Sequence, residues 1–375
     1  MKKKLMVVLL TLLLVLSAFV FVGCADGKCT VTFNTNGGST VANQTVIKGE
    51  KATKPSDPTK TGYSFDGWYY QDEEWSFIGY GVTENMELKA KWNAIFNRSG
   101  NEITSLTAYG KTLTEIEIPN AIDGTAITSI GNGAFSSCSE LESITIPSSV
   151  TSIGNGAFYN CDNLESVTIP NSVTSIGARL FWGCDSLESI AIPSGITSIG
   201  DSVFSYCNNL ESVTIPSSVT SIGEEAFLGC DSLTSIAIPS GVTSIGNEAF
   251  SSCSSLESIT IPGGVTSIGY RTFFFCSSLE SITIPGGVTS IGEGAFSSCS
   301  SLESVTIPSG VTSLGFKAFS DCSSLTIYCE AESKPSGWDI DWNFSDRPVY
   351  WYSATAPTGT GNYWHYVDDE IVIWE

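Results

Sequence analysis

Nine cysteines in the middle of the chain stand 23 residues apart: Cys138, Cys161, Cys184, Cys207, Cys230, Cys253, Cys276, Cys299 and Cys322. They mark a unit that recurs without insertion or deletion. One full copy, Leu141–Asn163, reads LESITIPSSVTSIGNGAFYNCDN, and seven more begin at Leu164, Leu187, Leu210, Leu233, Leu256, Leu279 and Leu302. A period of about 20–29 residues folds as a stack of coils, each covering the apolar face of its neighbour. The core is then a column, not a globule around a pocket. Such a chain presents surface, which favours a binding scaffold over an enzyme.

Within one copy the apolar positions are Leu141, Ile144, Ile146, Val150, Ile153, Ala157, Phe158 and Cys161. Alternation turns Ile144 and Ile146 inward and sets Ser143, Thr145 and Pro147 on the outer, concave face of a short strand. Pro147 lacks an N–H and ends that strand. Gly154 permits the turn after Val150–Ile153. Asn155–Asn160 is expected to form one short helical or 3₁₀ turn that inserts Phe158. The combination Leu-x-x-Ile-x-Ile-Pro, Val-x-x-Ile-Gly and Ala-Phe-x-x-Cys, recurring through residues 113–325, resembles the BspA-like leucine-rich repeat family. That resemblance implies a mainly β fold, a right-handed leucine-rich-repeat solenoid of 23-residue coils, and adhesion to host or microbial macromolecules.

The ends of the chain differ from this unit. Lys2, Lys3 and Lys4 precede an apolar run from Leu5 to Val22, which closes on Gly23-Cys24. This resembles a bacterial lipoprotein signal, and the resemblance implies that residues 1–23 are removed and Cys24 is lipidated. An ordinary cleaved signal peptide and an uncleaved anchor stay open, since roughly 18–20 apolar residues span a bilayer. All three readings place the rest of the chain outside the cytoplasm, and the first ties it to the membrane at the cell surface.

Residues 24–28 read as a tether and residues 29–93 as a compact module. Thr30–Phe33 and Met86–Trp92 alternate as half-buried strands do, and Asn36-Gly37-Gly38 is a hairpin turn signal. The Phe33…Asn36-Gly37-Gly38 start, the segment Gly62–Tyr69 and the Leu88…Ala90-Lys91-Trp92 end resemble the Listeria–Bacteroides repeat family, the internalin-type B repeat. The resemblance implies a small β-grasp-like spacer without catalytic residues. Trp68 and Trp92 are expected to pack its core in preference to serving as ligand platforms. Residues 94–140 then read as an N-terminal cap and an irregular first coil, with five extra residues around Asn120–Gly124. Residues 141–325 form the solenoid and residues 326–375 a Trp-rich C-terminal cap.

The formal charge of −22 excludes one partner class. Between Leu113 and Leu325 only Arg179, Arg271 and Lys317 face 20 Asp and Glu, so the solenoid repels phosphate backbones and nucleic acid is not a partner. The cysteine column is odd in number, parallel and inward, which favours packed thiols over disulfides, although an extracytoplasmic site leaves room for some pairing. No CxxC cluster offers a metal site, and no cofactor is implied. Glu142, Glu165, Glu188, Glu211, Glu257, Glu280 and Glu303 form a second column. A catalytic pair needs two unlike environments, and a repeated column supplies one. His365 is the single histidine, and neither a Gly-x-Ser-x-Gly elbow nor a phosphate loop is present.

Binding information must lie where the coil leaves positions free. The outward strand positions are small and monotonous. The dipeptide before each cysteine varies instead, placing Tyr159, Trp182, Tyr206, Leu228, Phe274 and Phe275 along one edge. The expected partner is a protein or glycan ligand on host or neighbouring cells. A surface glycan-binding protein using the Trp-rich end is the alternative, and a carbohydrate-active enzyme using the glutamate column is a third.

Overall fold

The computed structural model describes residues 23–358 and 361–374. The basic start and apolar run therefore lie outside the described residues, apart from Gly23 and Cys24. Two compact units are present, one holding residues up to Lys60 with Ser64–Asn93, the other Thr61–Tyr63 with Ala94–Glu375.

The first unit is a five-stranded mixed sheet. Its strands are β1 (Lys28–Asn34), β2 (Gln44–Ile47), β3 (Tyr63–Tyr70), β4 (Glu73–Glu74) and β5 (Met86–Ala94), in the order β2-β1-β5-β3-β4. The parallel β1–β5 pair at its centre gives the module its β-grasp character. Val31, Phe33, Leu88 and Ala90 point from that pair into a core closed by Trp68, which is 2% exposed and edge-on to Phe33 at 4.9 Å. Trp92 lies over the hairpin turn, donating from Nε1 to the Thr35 carbonyl. A Cβ on Gly38 would meet its ring at 2.5 Å, so that turn needs glycine there.

The second unit is the solenoid, and each coil contributes to three ladders. The first is the Ser-Ile-Thr strand, paired in register from Glu115–Glu117 through Ser143–Thr145 to Ser166–Thr168, and again in later coils. The second is the Ser-Ile pair, stacked from Ser129–Ile130 onward. In both, a coil donates backwards, as Glu165 N–H does to the Glu142 carbonyl and Gly177 N–H to Ile153.

The third ladder corrects an expectation. Asn155–Asn160 is neither helical nor 3₁₀; it is a run of tight turns. Gly156 (φ 55°) and Asn160 (φ 52°) are left-handed, and their counterparts in other coils repeat this. Alternating handedness points every second N–H along the solenoid axis: Gly156, Phe158 and Asn160 donate to Ala178, Leu180 and Trp182 of the next coil. A helical turn would have spent those N–H groups within its own coil.

Between the ladders runs the core. Phe135, Phe158, Phe181, Phe204, Phe227, Phe250, Phe273, Phe296 and Phe319 stack as nearly parallel rings, with centroids 5.2–5.7 Å apart along the column. All nine repeat cysteines are free and buried.

Both ends are closed. Upstream, Phe96–Ser99 pairs antiparallel with Glu102–Leu106, which carries the Ser-Ile ladder. The five extra residues of the first coil make a small hairpin, Ala121–Ile122 with Thr125–Ala126, turning at Asp123 (φ 47°) and Gly124 (φ 77°). Downstream, Thr326–Cys329 continues the first ladder, and Val349–Tyr352 and Tyr363–Val367 stack on it in parallel. The forward-pointing N–H groups of the last turn find new acceptors: Lys317 donates to the Asp341 carbonyl and Asp321 to Ser345 Oγ.

Candidate binding surface

The variable dipeptide occupies the last two positions of the turn ladder. Its second residue is left-handed in every coil, through Asn160, Gly183, Tyr206, Gly229, Ser252, Phe275, Ser298 and Asp321. Left-handed backbone there lifts the side chain off the core, leaving Tyr206 43% and Phe275 50% exposed. The first residue sits lower. Ser205, Ser251, Ser297 and Ser320 are buried there, whereas Ser136, Tyr159, Trp182, Leu228 and Phe274 are half-buried.

The six candidate residues do not form one continuous row. Tyr159 and Trp182 stack at 4.7 Å with 7° between their planes, and Tyr206 meets Trp182 edge-on at 5.2 Å. Gly229 leaves room for this arrangement, since a Cβ there would stand 2.9 Å from the Tyr206 ring. Leu228 follows in the next coil, and Ser251-Ser252 interrupts the row. Phe274 and Phe275 then form a second cluster, 4.6 Å apart and edge-on, with the Arg271 guanidinium 4.7 Å above Phe274 and 4.9 Å above Tyr270. The upstream cluster is the larger.

The strand face offers shallow grooves of about 410–460 Å³, lined by repeated Ser and Thr such as Ser235, Ser258, Thr260, Ser281 and Thr283. The glutamate column is exposed throughout. Among the described residues no group of His, Cys, Asp and Glu is arranged to hold a metal ion. Each buried repeat thiol is held protonated by desolvation, which pushes Cys161 and Cys322 up to about 12.

The tryptophans of the C-terminal stretch are largely spent on packing. Trp338, Trp342 and Trp364 are buried. Trp338 donates to the Val311 carbonyl, Trp364 to Cys329, and Trp342 stands edge-on to Phe319, the last ring of the column. These rings close the core and do not form an open platform.

Cys24 and Cys29 are joined in a disulfide, with Cα atoms 4.5 Å apart. The turn between them explains the pairing. Asp26 (φ 52°) and Gly27 (φ 72°) are both left-handed, and Lys28 N–H closes on the Ala25 carbonyl, so a two-residue hairpin sets the cysteines opposite one another. One sulfur cannot carry both a thioether and a disulfide. The sequence patterns alone did not raise this competition.

Comparison with known proteins agrees with this architecture. Residues 101–234 and 197–326, together more than half of the chain, match the family described as the BspA type leucine rich repeat region, and residues 30–91 match the Listeria–Bacteroides repeat domain. Two proteins of Evansella cellulosilytica described as membrane proteins, one of them Gly-rich, are 35% and 36% identical over 96 and 95 residues. Those segments cover 23% of this chain but only 14% and 11% of the relatives' own lengths. Among solved structures, a leucine rich cell surface protein of Faecalibacterium prausnitzii is 28% identical, covering 81% of this chain and 90% of that one, with a TM-score of 0.43. The leucine rich repeat protein of T. pallidum is 26% identical over 56% of this chain and 88% of its own, with a TM-score of 0.40. The repeat, its three ladders and the family match lead to one assignment: the chain belongs to the BspA-type leucine-rich-repeat family, with a Listeria–Bacteroides repeat domain ahead of its solenoid.

Proposed function

We propose that this chain is a non-catalytic binding protein of the bacterial cell surface, presenting its solenoid to protein or glycan ligands on host or neighbouring cells. In the membrane-tied form Cys24 carries the lipid thioether in place of the disulfide to Cys29. The observation that carries the binding reading is the Tyr159–Trp182–Tyr206 cluster. It stands on the turn edge, where chemistry changes from coil to coil, while the strand face repeats the same small hydroxyl side chains. Aromatic rings are the side chains that most often dominate binding energy at protein interfaces. Membership of the BspA-type family and the membrane-protein descriptions of the Evansella relatives support the surface location.

The test is a pull-down with the mature chain as bait, followed by affinity measurement on the captured partner. A Trp182→Ala, Tyr206→Ala double variant should keep its circular dichroism spectrum and bind about tenfold more weakly or worse. Unchanged affinity, or a loss only on changing Thr145, Thr168 and Thr214, moves the site to the strand face.

A further inference from the structure

Every cation of the solenoid stands at one position of the repeat. Arg179, Arg271 and Lys317 are the only Lys or Arg between Leu113 and Leu325, and they lie four and two coils apart in a single column. All three open the turn ladder with left-handed backbone, at φ 56°, 48° and 52°. None closes an ion pair; those among the described residues are Lys54–Asp57, Lys89–Glu87 and Arg98–Asp123. In a chain of formal charge −22, a cation has acids enough to choose from.

Arg271 and Lys317 rest on aromatic rings instead. The Arg271 guanidinium lies 4.9 Å from the Tyr270 ring centroid and 4.7 Å from that of Phe274. Lys317 Nζ lies 5.1 Å from Phe316 and 4.1 Å from Phe344. Glu248, one coil upstream, feels the charge of Arg271, yet the arginine leans the other way. A Cβ on Gly294, one coil downstream, would stand 3.3 Å from its Cγ. Coils rise about 5 Å each, so the two cations stand about 10 Å apart along one edge. Around them Phe275, Phe344 and Ile340 are exposed, Phe344 at 55% and Ile340 at 85%. Ile340 precedes Asp341, whose carbonyl takes the Lys317 N–H, so it belongs to the same edge.

The occupant must offer two anionic groups about 10 Å apart and apolar surface between and beside them. A sugar chain would set hydroxyls against Phe275, Phe344 and Ile340, none of which has a polar atom to meet them. An anionic bilayer is flat, so it would also meet Glu225, Glu248 and Glu293 on the same edge and be repelled. A protein segment can place carboxylates at two points and hydrocarbon elsewhere. We propose that this downstream edge is a docking site for an acidic, apolar segment of a partner protein, with Arg271 and Lys317 each taking one carboxylate. The phenylalanines and Ile340 cover its apolar side chains. The site is independent of the Tyr159–Trp182–Tyr206 cluster and selects its ligand by charge as well as by apolar contact.

A random peptide library on phage is depleted on an Arg271→Gln, Lys317→Gln variant and then panned on the mature chain. Enriched peptides should carry two Asp or Glu set among apolar residues. Their synthetic forms should bind each single variant about tenfold more weakly than the parent, and Phe344→Ser should weaken them too. Asn and Gln analogues of the same peptides should lose binding to the unaltered chain, a result that does not depend on how the variants fold. The Trp182→Ala, Tyr206→Ala variant should bind these peptides as the parent does, so this site and the upstream one stand or fall separately. No enrichment, enrichment without paired acids, or affinity unchanged in both single variants overturns the proposal. Polygalacturonate or phosphatidylglycerol vesicles binding through Arg271 and Lys317 where no peptide does would assign the edge to another ligand and overturn it as well.

Discussion

Cys184 donates its thiol to the carbonyl oxygen of Phe158, one coil upstream, at 3.1 Å. The same bond joins Cys161 to Phe135, Cys207 to Phe181, and so on to Cys322 and Phe296. From Cys161 to Cys322 the cysteine column is thus a hydrogen-bonded seam between coils, in which each S–H faces a carbonyl and not a neighbouring sulfur. That carbonyl belongs to the phenylalanine of the stacked column, so two core columns are locked to each other.

This seam predicts alkaline sensitivity. Desolvation raises the thiol of Cys161 to about 12 and that of Cys253 well above its ordinary value near 9. A proton held more tightly in the folded chain than in the unfolded one stabilises folding fully below the unfolded value. The benefit is lost as pH climbs from about 9 toward the folded values. Each such thiol costs about 1.4 kcal/mol per pH unit across that window. Guanidinium unfolding midpoints should therefore be flat from pH 7 to 8 and fall steeply from pH 9 to 10.5. A midpoint unchanged at pH 10.5 would show that the thiols are not buried as hydrogen-bond donors.

Emptying the phenylalanine column should be costly. Phe204 stacks on Phe181 at 5.7 Å and on Phe227 at 5.3 Å, with 1% exposure. Phe204→Ala should destabilise by about 3–5 kcal/mol. In a linear stack that loss should also split the unfolding transition, since coils on either side communicate only through their neighbours. A single, slightly shifted transition would count against a continuous core.

Much of this was legible in the sequence, and what escaped has physical causes. The period named the solenoid because stacking forces every coil to the same length, and the inward Ile144 and Ile146 followed from alternation alone. The turn at Asn155–Asn160 was misread because Ala-Phe-x-x-Cys resembles a helical turn when local preference is considered. The axial hydrogen bonds that favour left-handed Gly156 and Asn160 come from Ala178 and Trp182 in the next coil, 22 residues away. The two parallel strands beyond Cys329 were hidden for a related reason: the period fails there while stacking continues. The aromatic edge was visible as a variable dipeptide, but its division at Ser251-Ser252 follows from which coil carries which ring.

Glycine at the end of the second ladder separates sterics from backbone freedom. A Cβ on Gly177 would stand 2.3 Å from the backbone nitrogen of Asn155 in the previous coil, while around Gly263 nothing lies within 4 Å. Neither has a positive φ, so alanine differs between them only in what it meets. Gly177→Ala should destabilise by about 1–3 kcal/mol or more, as overpacking does, and Gly263→Ala should stay within about 0.5 kcal/mol of the parent. Equal effects in thermal unfolding would refute close coil-to-coil approach at the glycine column.

The N-terminal cysteines give a prediction that counts atoms. The chain has 12 cysteines, of which the nine of the repeat and Cys329 are free and buried, making ten. The remaining two, Cys24 and Cys29, face each other across the Asp26-Gly27 turn. If Cys24 takes a lipid thioether before the module folds, Cys29 is left as an eleventh thiol, buried at 0% exposure. If it does not, the hairpin brings the pair together and an extracytoplasmic oxidant can close it. Protein that incorporates a palmitate analogue should therefore show eleven thiols in denaturant, and unlabelled protein from the same cells ten. Cys29→Ser should leave labelling intact, because the lipid needs only Cys24, and Cys24→Ala should abolish it. Wild-type protein that never takes the label and always titrates as ten thiols would assign Cys24 to the disulfide and end the lipid-anchor reading.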